Sequence, residues 1–260
     1  MHRSPLAALT LLAAAGAPAL AQDREPLEVE IILRDFSLDH PDFQREFDPN
    51  VDIATPGLVA PELDDTGRPV LSEMASLLTS EAREIESAQS FDQWYRNLPG
   101  VNRVHRRTLR MDFNPATGFY SFRDLEFFPL NGLGPNPNGS DGPDFGFEPN
   151  ANNFYFTTEV DTSFLYTDPR GRDHRFELTF TGDDDLWIFI NGRLALDLGG
   201  THFSVSGTLD VDDLAEEFGL EPGSVNRLQV FHAERRQQFS AFELQTNFEL
   251  APSILVPLYD

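Results

Sequence analysis

The densest chemistry in this 260-residue chain lies at Thr181–Gly192, which reads TGDDDLWIFING. Asp183, Asp184 and Asp185 stand side by side just before Leu186–Ile190, a run that is apolar throughout. Carboxylates repel one another, so folding three of them against a buried strand is costly unless something positive intervenes. A hard divalent cation is the usual remedy, because Ca²⁺ takes carboxylate and carbonyl oxygens. Taken as bare spacing, the same run is equally a solvated acidic turn. Asn191-Gly192 is a tight-turn dipeptide that leads into Leu194–Leu198, with Gly199-Gly200-Thr201-His202 beyond it. Asp197 and His202 flank those glycines. They form either an edge of the same site or backbone caps of a glycine turn, and a lone His without partner spacing favours the caps.

Other constellations carry less. Asn136, Asn138, Ser140, Asp141 and Asp144 suggest a second calcium loop, but the glycine does not fall where such a loop turns. Trp94 and Tyr95 offer a sugar-stacking platform, yet their helical spacing with Phe91 points to core. Arg103, Arg106, Arg107 and Arg110 suit either an acidic partner or the chain's own carboxylates, the second being favoured. Asp184 with Glu234 is the carboxylate pair a glycoside hydrolase would need. No Ser-His-Asp order or nucleophile elbow accompanies it, so an enzyme is not expected.

The elements that must position these residues read mostly as strands. Leu27–Leu33 alternates, as does Arg107–Phe113, and Tyr120–Phe128 is aromatic. Short strand signals then follow one another at 154–160, 164–167, 176–180, 186–190, 194–198, 206–211, 227–233 and 239–248. Short strands with turn signals indicate an all-β, antiparallel sandwich or barrel, and 23 Phe residues suit a core packed by rings. The best helix signal is Ser80–Leu98, with Ser80 as N-cap and Pro99-Gly100 as its stop. Residues 44–70 read as a long ordered loop and 131–153 as a Gly/Asn/Pro/Asp loop.

Met1–Ala21 has a basic start, an apolar run over Leu6–Ala17 and a small-residue site before Gln22. This is the layout of a secretory signal peptide. A single domain over residues 22–260, exported to the periplasm or the exterior after cleavage between Ala21 and Gln22, is expected. With no cysteine, neither disulfides nor thiolate-held metals contribute. The 43 Asp+Glu against 19 Lys+Arg give a net charge of −24, which argues against nucleic acid or an anionic membrane surface and for cations or cationic partners; the apolar run of the leader is too short to span a bilayer, so no membrane insertion is expected.

With these residues laid out, the chain resembles the fibro-slime domain family, a branch of the PA14-like β-sandwiches. The closest stretch is TGDDDLWIFINGRLALDLGGTH, residues 181–202. Ile32–Phe36 with His40–Phe43, Phe91–Tyr95 with Pro99–Asn102, Phe127–Leu130, Asn153–Glu159 and Phe231–Arg235 resemble the other blocks in order, covering roughly 28–250. The resemblance implies a jelly-roll sandwich with long loops and one or two short helices in its N-terminal half. In PA14-like lectins a cis-linked Asp-Asp pair binds Ca²⁺, which in turn contacts sugar hydroxyls. By the resemblance that pair is Asp183-Asp184, with Asp185 where many relatives have Gly. A second loop, commonly with Asn, contributes another ligand, and its place falls on Glu234. Asp185, Asp197, His202 and Arg235 are then the expected ligand-facing residues. What is implied is a secreted, Ca²⁺-dependent module for adhesion or matrix that binds a glycan or a cell-surface or matrix protein. The alternatives are a protein-interaction module with purely structural Ca²⁺ and a glycan hydrolase using Asp184 and Glu234.

Overall fold

A computed structural model describes residues 24–37, 39–43, 53–75, 85–133, 152–236 and 239–251. The leader segment, the start of the expected 80–98 helix and the Asn136–Asp144 loop lie outside them. Ten strands form one continuous antiparallel array, as the alternating patterns require. They are β1 (Leu27–Phe36), β2 (Asn102–Asn114), β3 (Phe119–Asp124), β4 (Phe156–Leu165), β5 (Glu177–Gly182), β6 (Asp185–Ile190), β7 (Arg193–Leu198), β8 (Val205–Asp210), β9 (Val225–Glu234) and β10 (Phe242–Thr246). Their order is β7-β6-β9-β4-β1-β2-β3-β10-β5-β8. The long β2 joins two layers: it pairs with β1 over Asn102–Met111 and with β3 over Asp112–Asn114. The expected all-β antiparallel fold is what forms.

Inward residues of both layers share one core, including Val29, Ile31, Leu33, Leu178, Phe180, Ile188, Val230, Phe242 and Leu244. β6 is buried at every position, because its outer side chains Trp187 and Phe189 enter a second core with Phe36, Phe43, Leu58, Phe91, Trp94, Tyr95 and Phe231. The segment before β2 builds that second core. Residues 53–75 run as an ordered excursion against the outer layer, with a bridge between Val59 and Leu71 and another from Glu62 to Arg193. The helix α1 is only Ala88–Phe91, capped by Ser87 in a reciprocal capping box with Ser90.

Two features were not legible in the sequence. A helix α2 (Val211–Phe218) lies in the C-terminal half, with Asp210 as N-cap and Gly219 left-handed at its end. In addition, β5 and β6 are not hairpin partners. β5 pairs with β10 and β8, whereas β6 pairs with β7 and β9. The acidic run is therefore a corner between layers, and the hairpin is β6–β7, turned by Asn191 (φ 51°) and Gly192 (φ 80°).

The array nearly closes on itself. No strand pairing joins β7 to β8 among the described residues. Instead Leu196 and Leu198 pack onto Gly207, where a Cβ would stand 2.7 Å from a Leu196 methyl. The loop 199–204 crosses this seam.

Gly182, the last residue before the corner, admits no side chain. A Cβ there would lie 2.6 Å from the Phe180 ring and 2.9 Å from the Ala241 carbonyl oxygen. Gly182→Ala is expected to lower stability by about 1–3 kcal/mol through overpacking, measured by urea unfolding; an unchanged midpoint would contradict this account of the corner.

Candidate functional site

The corner brings four carboxyl groups together in the interior. Asp183, Asp184, Asp185 and Glu234 are exposed by only 4, 1, 0 and 0 %. Alternation along β9 carries Glu234 inward after Leu228, Val230 and His232, and the Phe156↔Glu234 and Asp185↔Ala233 pairings place it beside the corner. The chain turns at Asp184 with φ 53°, a left-handed conformation that Asp tolerates better than most residues. The Asp183–Asp184 peptide is trans, unlike the cis arrangement the family resemblance implies.

Backbone donors take several of the oxygens. Asp183 Oδ2 accepts from the Ala241 amide at 2.8 Å. Asp184 Oδ1 accepts from His202 N at 3.2 Å, and its Oδ2 from Arg235 N at 2.9 Å. Asp185 Oδ1 accepts from Gly200 N at 2.8 Å, and its Oδ2 receives Arg235 Nε at 2.6 Å. Asp183 Oδ1 and both Glu234 oxygens are buried without a hydrogen bond of good geometry.

Two arginines supply the compensating charge. Arg235 is fully buried, lies 4.8 Å over the Trp94 ring and reaches the Asp42 carbonyl. Asp42 in turn accepts from Trp94 Nε1 at 2.9 Å. The His40–Phe43 and Phe91–Tyr95 blocks thus form the bed that holds Arg235. Arg236 acts on Asp183 and Asp184 through charge and lies 4.8 Å over the Phe203 ring. Four carboxyl groups therefore face two guanidiniums. Burial, and then the charge of Asp184, pushes the Asp183 carboxyl up to about 6. Burial also raises Asp184, and it drives Glu234 well above the usual carboxylate range, reinforced by Asp184 and Asp183.

The other expected residues have different company. Asp197 accepts from Trp187 Nε1 at 2.9 Å, Gly199 N at 3.1 Å and Gly57 N at 2.7 Å. It ties the glycine turn to the 53–75 excursion. The His202 ring nitrogens face the Phe203 and Leu198 carbonyls at 2.8 and 3.0 Å. A neutral imidazole donates to only one of them. Asp184 and Glu234 are hydrogen-bonding neighbours inside the cluster, not carboxyls facing each other across an open cleft. Trp94 and Tyr95 are core, with exposures of 0 and 2 %. Arg236, Asp42 and the Ala241 amide were not singled out from sequence. Arg236 was legible as the next cation after Arg235, whereas a backbone amide 58 residues from Asp183 leaves no sequence signal.

A cation would find oxygen donors of the right hardness here, the unpartnered Asp183 and Glu234 oxygens foremost. Among the described residues, no three His, Cys, Asp or Glu side chains already stand gathered as a metal requires. Beside the cluster, a cleft of about 590 Å³ is lined by Asp124, Leu125, Glu126, Phe128, Asn152, Phe239 and Ser240. Ser240 also interacts with Glu234. Phe239 is 61 % exposed and meets Phe203 edge-on at 6.1 Å.

Fold and site define an antiparallel β-protein with a buried carboxylate–arginine corner opening beside an aromatic-lipped cleft. No family model matches the chain. It is related to psi proteins of Dictyostelium discoideum: it is 32% identical to protein psiD over 201 residues, 29% to psiI over 236 and 30% to psiK over 248. These alignments cover 76, 85 and 87% of this chain and 37, 30 and 32% of those proteins, so the chain spans about a third of their length. Among solved structures it is similar to the PA14 domain of the MpAFP antifreeze protein, at 11% identity and a TM-score of 0.23 over 38% of this chain and 45% of that one. A β-glucosidase from Kluyveromyces marxianus in complex with glucose gives 12% identity and a TM-score of 0.25 over 42 and 12%. Neither likeness is close enough to carry an argument.

Two outcomes follow. Because Asp183 is raised from 3.8 to about 6, the folded state holds a proton that the unfolded chain releases. The stability this contributes is complete below about pH 4 and lost as pH rises through 6. In EDTA, Asp183→Asn should therefore gain on the wild type between pH 4 and 7 in urea unfolding; parallel pH profiles would refute this. Arg235→Gln leaves Asp185 buried without its partner and should cost about 3–5 kcal/mol, read by thermal or urea unfolding; a loss under 1 kcal/mol would show that Arg235 is not the tie described.

Proposed function

We propose that this chain is an exported, calcium-dependent binding module of the fibro-slime, PA14-like kind. Its Ca²⁺ site lies at the Asp183–Asp184 corner, and its ligand, a glycan or other extracellular surface group, occupies the neighbouring cleft. The observation that carries this reading is the charge left over at the corner. Four buried carboxyl groups face two guanidiniums, and Asp183 Oδ1 and both Glu234 oxygens have no hydrogen bond of good geometry, Glu234 having only Asp184 and Ser240 close by. Orphaned buried carboxylates are expensive, and a divalent cation supplies the charge that is missing. Asp183 Oδ1 and Glu234 are its first ligands in this reading. Asp184, whose oxygens already hold the Arg235 and His202 amides, either swings toward the ion or fixes the loops around it.

The exposed Phe239 beside Phe203 supports a ligand with an apolar ring face. The depth of the carboxyl groups favours a second reading, in which the ion only rigidifies the corner and the partner is a protein. The hydrolase reading has the least support, because Asp184 and Glu234 abut each other.

Thermal melting at pH 7.5 with Ca²⁺ and with EDTA tests the metal. At 100-fold excess over Kd the ion should add about 2.7 kcal/mol, a rise in Tm of roughly 5–10 °C for a domain of this size. Glu234→Gln should abolish most of that rise. A Tm indifferent to both additives sinks the proposal. Glycan-array binding that disappears in EDTA favours the ligand-contacting ion, while calcium stabilisation without glycan binding favours the structural one.

A further inference from the structure

The arginines of β2 divide into two pairs that behave differently. Arg106 is paired with Glu30 and Arg110 with Asp112, so these two neutralise the chain's own acids. Arg103 and Arg107 are exposed, lie two strand positions either side of His105, and make no ion pair among the described residues. Arg107 donates only to the adjacent Arg106 carbonyl, at 2.9 Å. Burial and the charges of Arg107 and Arg103 push the His105 imidazole below its ordinary range. Arg103 is felt through charge by the buried Asp35 opposite it on β1, yet both guanidiniums stay exposed on one strand face of a chain whose net charge is −24.

The strand beneath them also has an open side, although the Asn102 amide already donates to the Leu98 carbonyl at 3.1 Å. β2 pairs with β1 continuously from Asn102 to Met111. On its other side it pairs with β3 only over Asp112–Asn114. From Asn102 to Met111, therefore, that second side has no strand partner among the described residues. Alternate N–H and C=O groups there point away from the array. Such an edge is a template for another strand, and charged side chains along it guard against indiscriminate pairing. A guard made of arginines repels basic strands and attracts acidic ones.

We propose that the open edge of β2, Asn102–Met111, is a docking site at which an extended acidic segment of a partner protein adds as a further strand. Main-chain hydrogen bonds supply the pairing, and Arg103 and Arg107 select carboxylates at alternate positions of the incoming segment. The edge lies on β2 and uses none of the corner carboxyl groups, so this inference stands or falls apart from the calcium reading.

The test is fluorescence anisotropy of a labelled decapeptide of alternating Glu and Thr with the full chain in EDTA. Saturable binding is expected, weakened about tenfold by the paired substitutions Arg103→Glu and Arg107→Glu and lost when Glu is replaced by Lys in the peptide. N-methylation of alternate peptide amides separates strand addition from simple charge attraction, and it needs no protein variant. It should abolish binding. No binding of the parent peptide, or equal binding of the N-methylated one, overturns the proposal. So does a concentration-dependent dimer in sedimentation that the two substitutions dissolve, which would assign the edge to a second copy of this chain.

Discussion

The buried guanidinium of Arg235 is the interaction on which the rest of the corner depends. It is anchored from three directions: Asp185 on β6, the Asp42 carbonyl in the segment after β1, and the face of Trp94 after α1. Each anchor comes from a different stretch of sequence. Removing the guanidinium would leave a carboxylate in the interior and a void against an indole. The pair is not a surplus of stability, since two charges taken from water only about recover their desolvation through mutual attraction. What it fixes is relative position. β6 and β9, the segment after β1 and the residues after α1 must sit where one planar cation can satisfy all of them at once.

Around that fixed point the acidic run has unequal fates. Asp185 is neutralised, Asp184 is spent on backbone amides, and Asp183 and Glu234 keep oxygens in reserve. The same three-Asp string thus holds one member of an ion pair, one carboxylate tied to backbone amides and one with an oxygen to spare. Neighbouring residues in the chain are separated chemically because the corner turns their side chains toward different layers.

Much of this was legible in the sequence. Period-two alternation located most strands, the unbroken apolar run of β6 announced burial on both faces, and Asn191-Gly192 marked the one tight hairpin it should. Crowding of carboxylates marked the corner. What could not be read was topology. Adjacent strands in sequence usually pair, yet β5 and β6, on either side of Asp183–Asp185, belong to different layers. The helix α2 was hidden in a region of short strand signals. Its Asp210 cap, terminal Gly219 and apolar Val211, Leu214, Ala215 and Phe218 were all present, but eight residues sit near the shortest span periodicity can resolve. Partners such as the Ala241 amide depend on the fold alone.

The seam between β7 and β8 has a mechanical meaning. Every other junction of the array is stitched by main-chain hydrogen bonds, while this one is held by leucines resting on Gly207. Apolar contacts slip over one another gradually, whereas hydrogen-bonded strands resist until they fail together. The loop 199–204 straps the seam and lends its Gly200 and His202 amides to Asp185 and Asp184. The seam and the carboxylate corner therefore share one strap: the loop that crosses the gap between the layers also holds two of the acids in place.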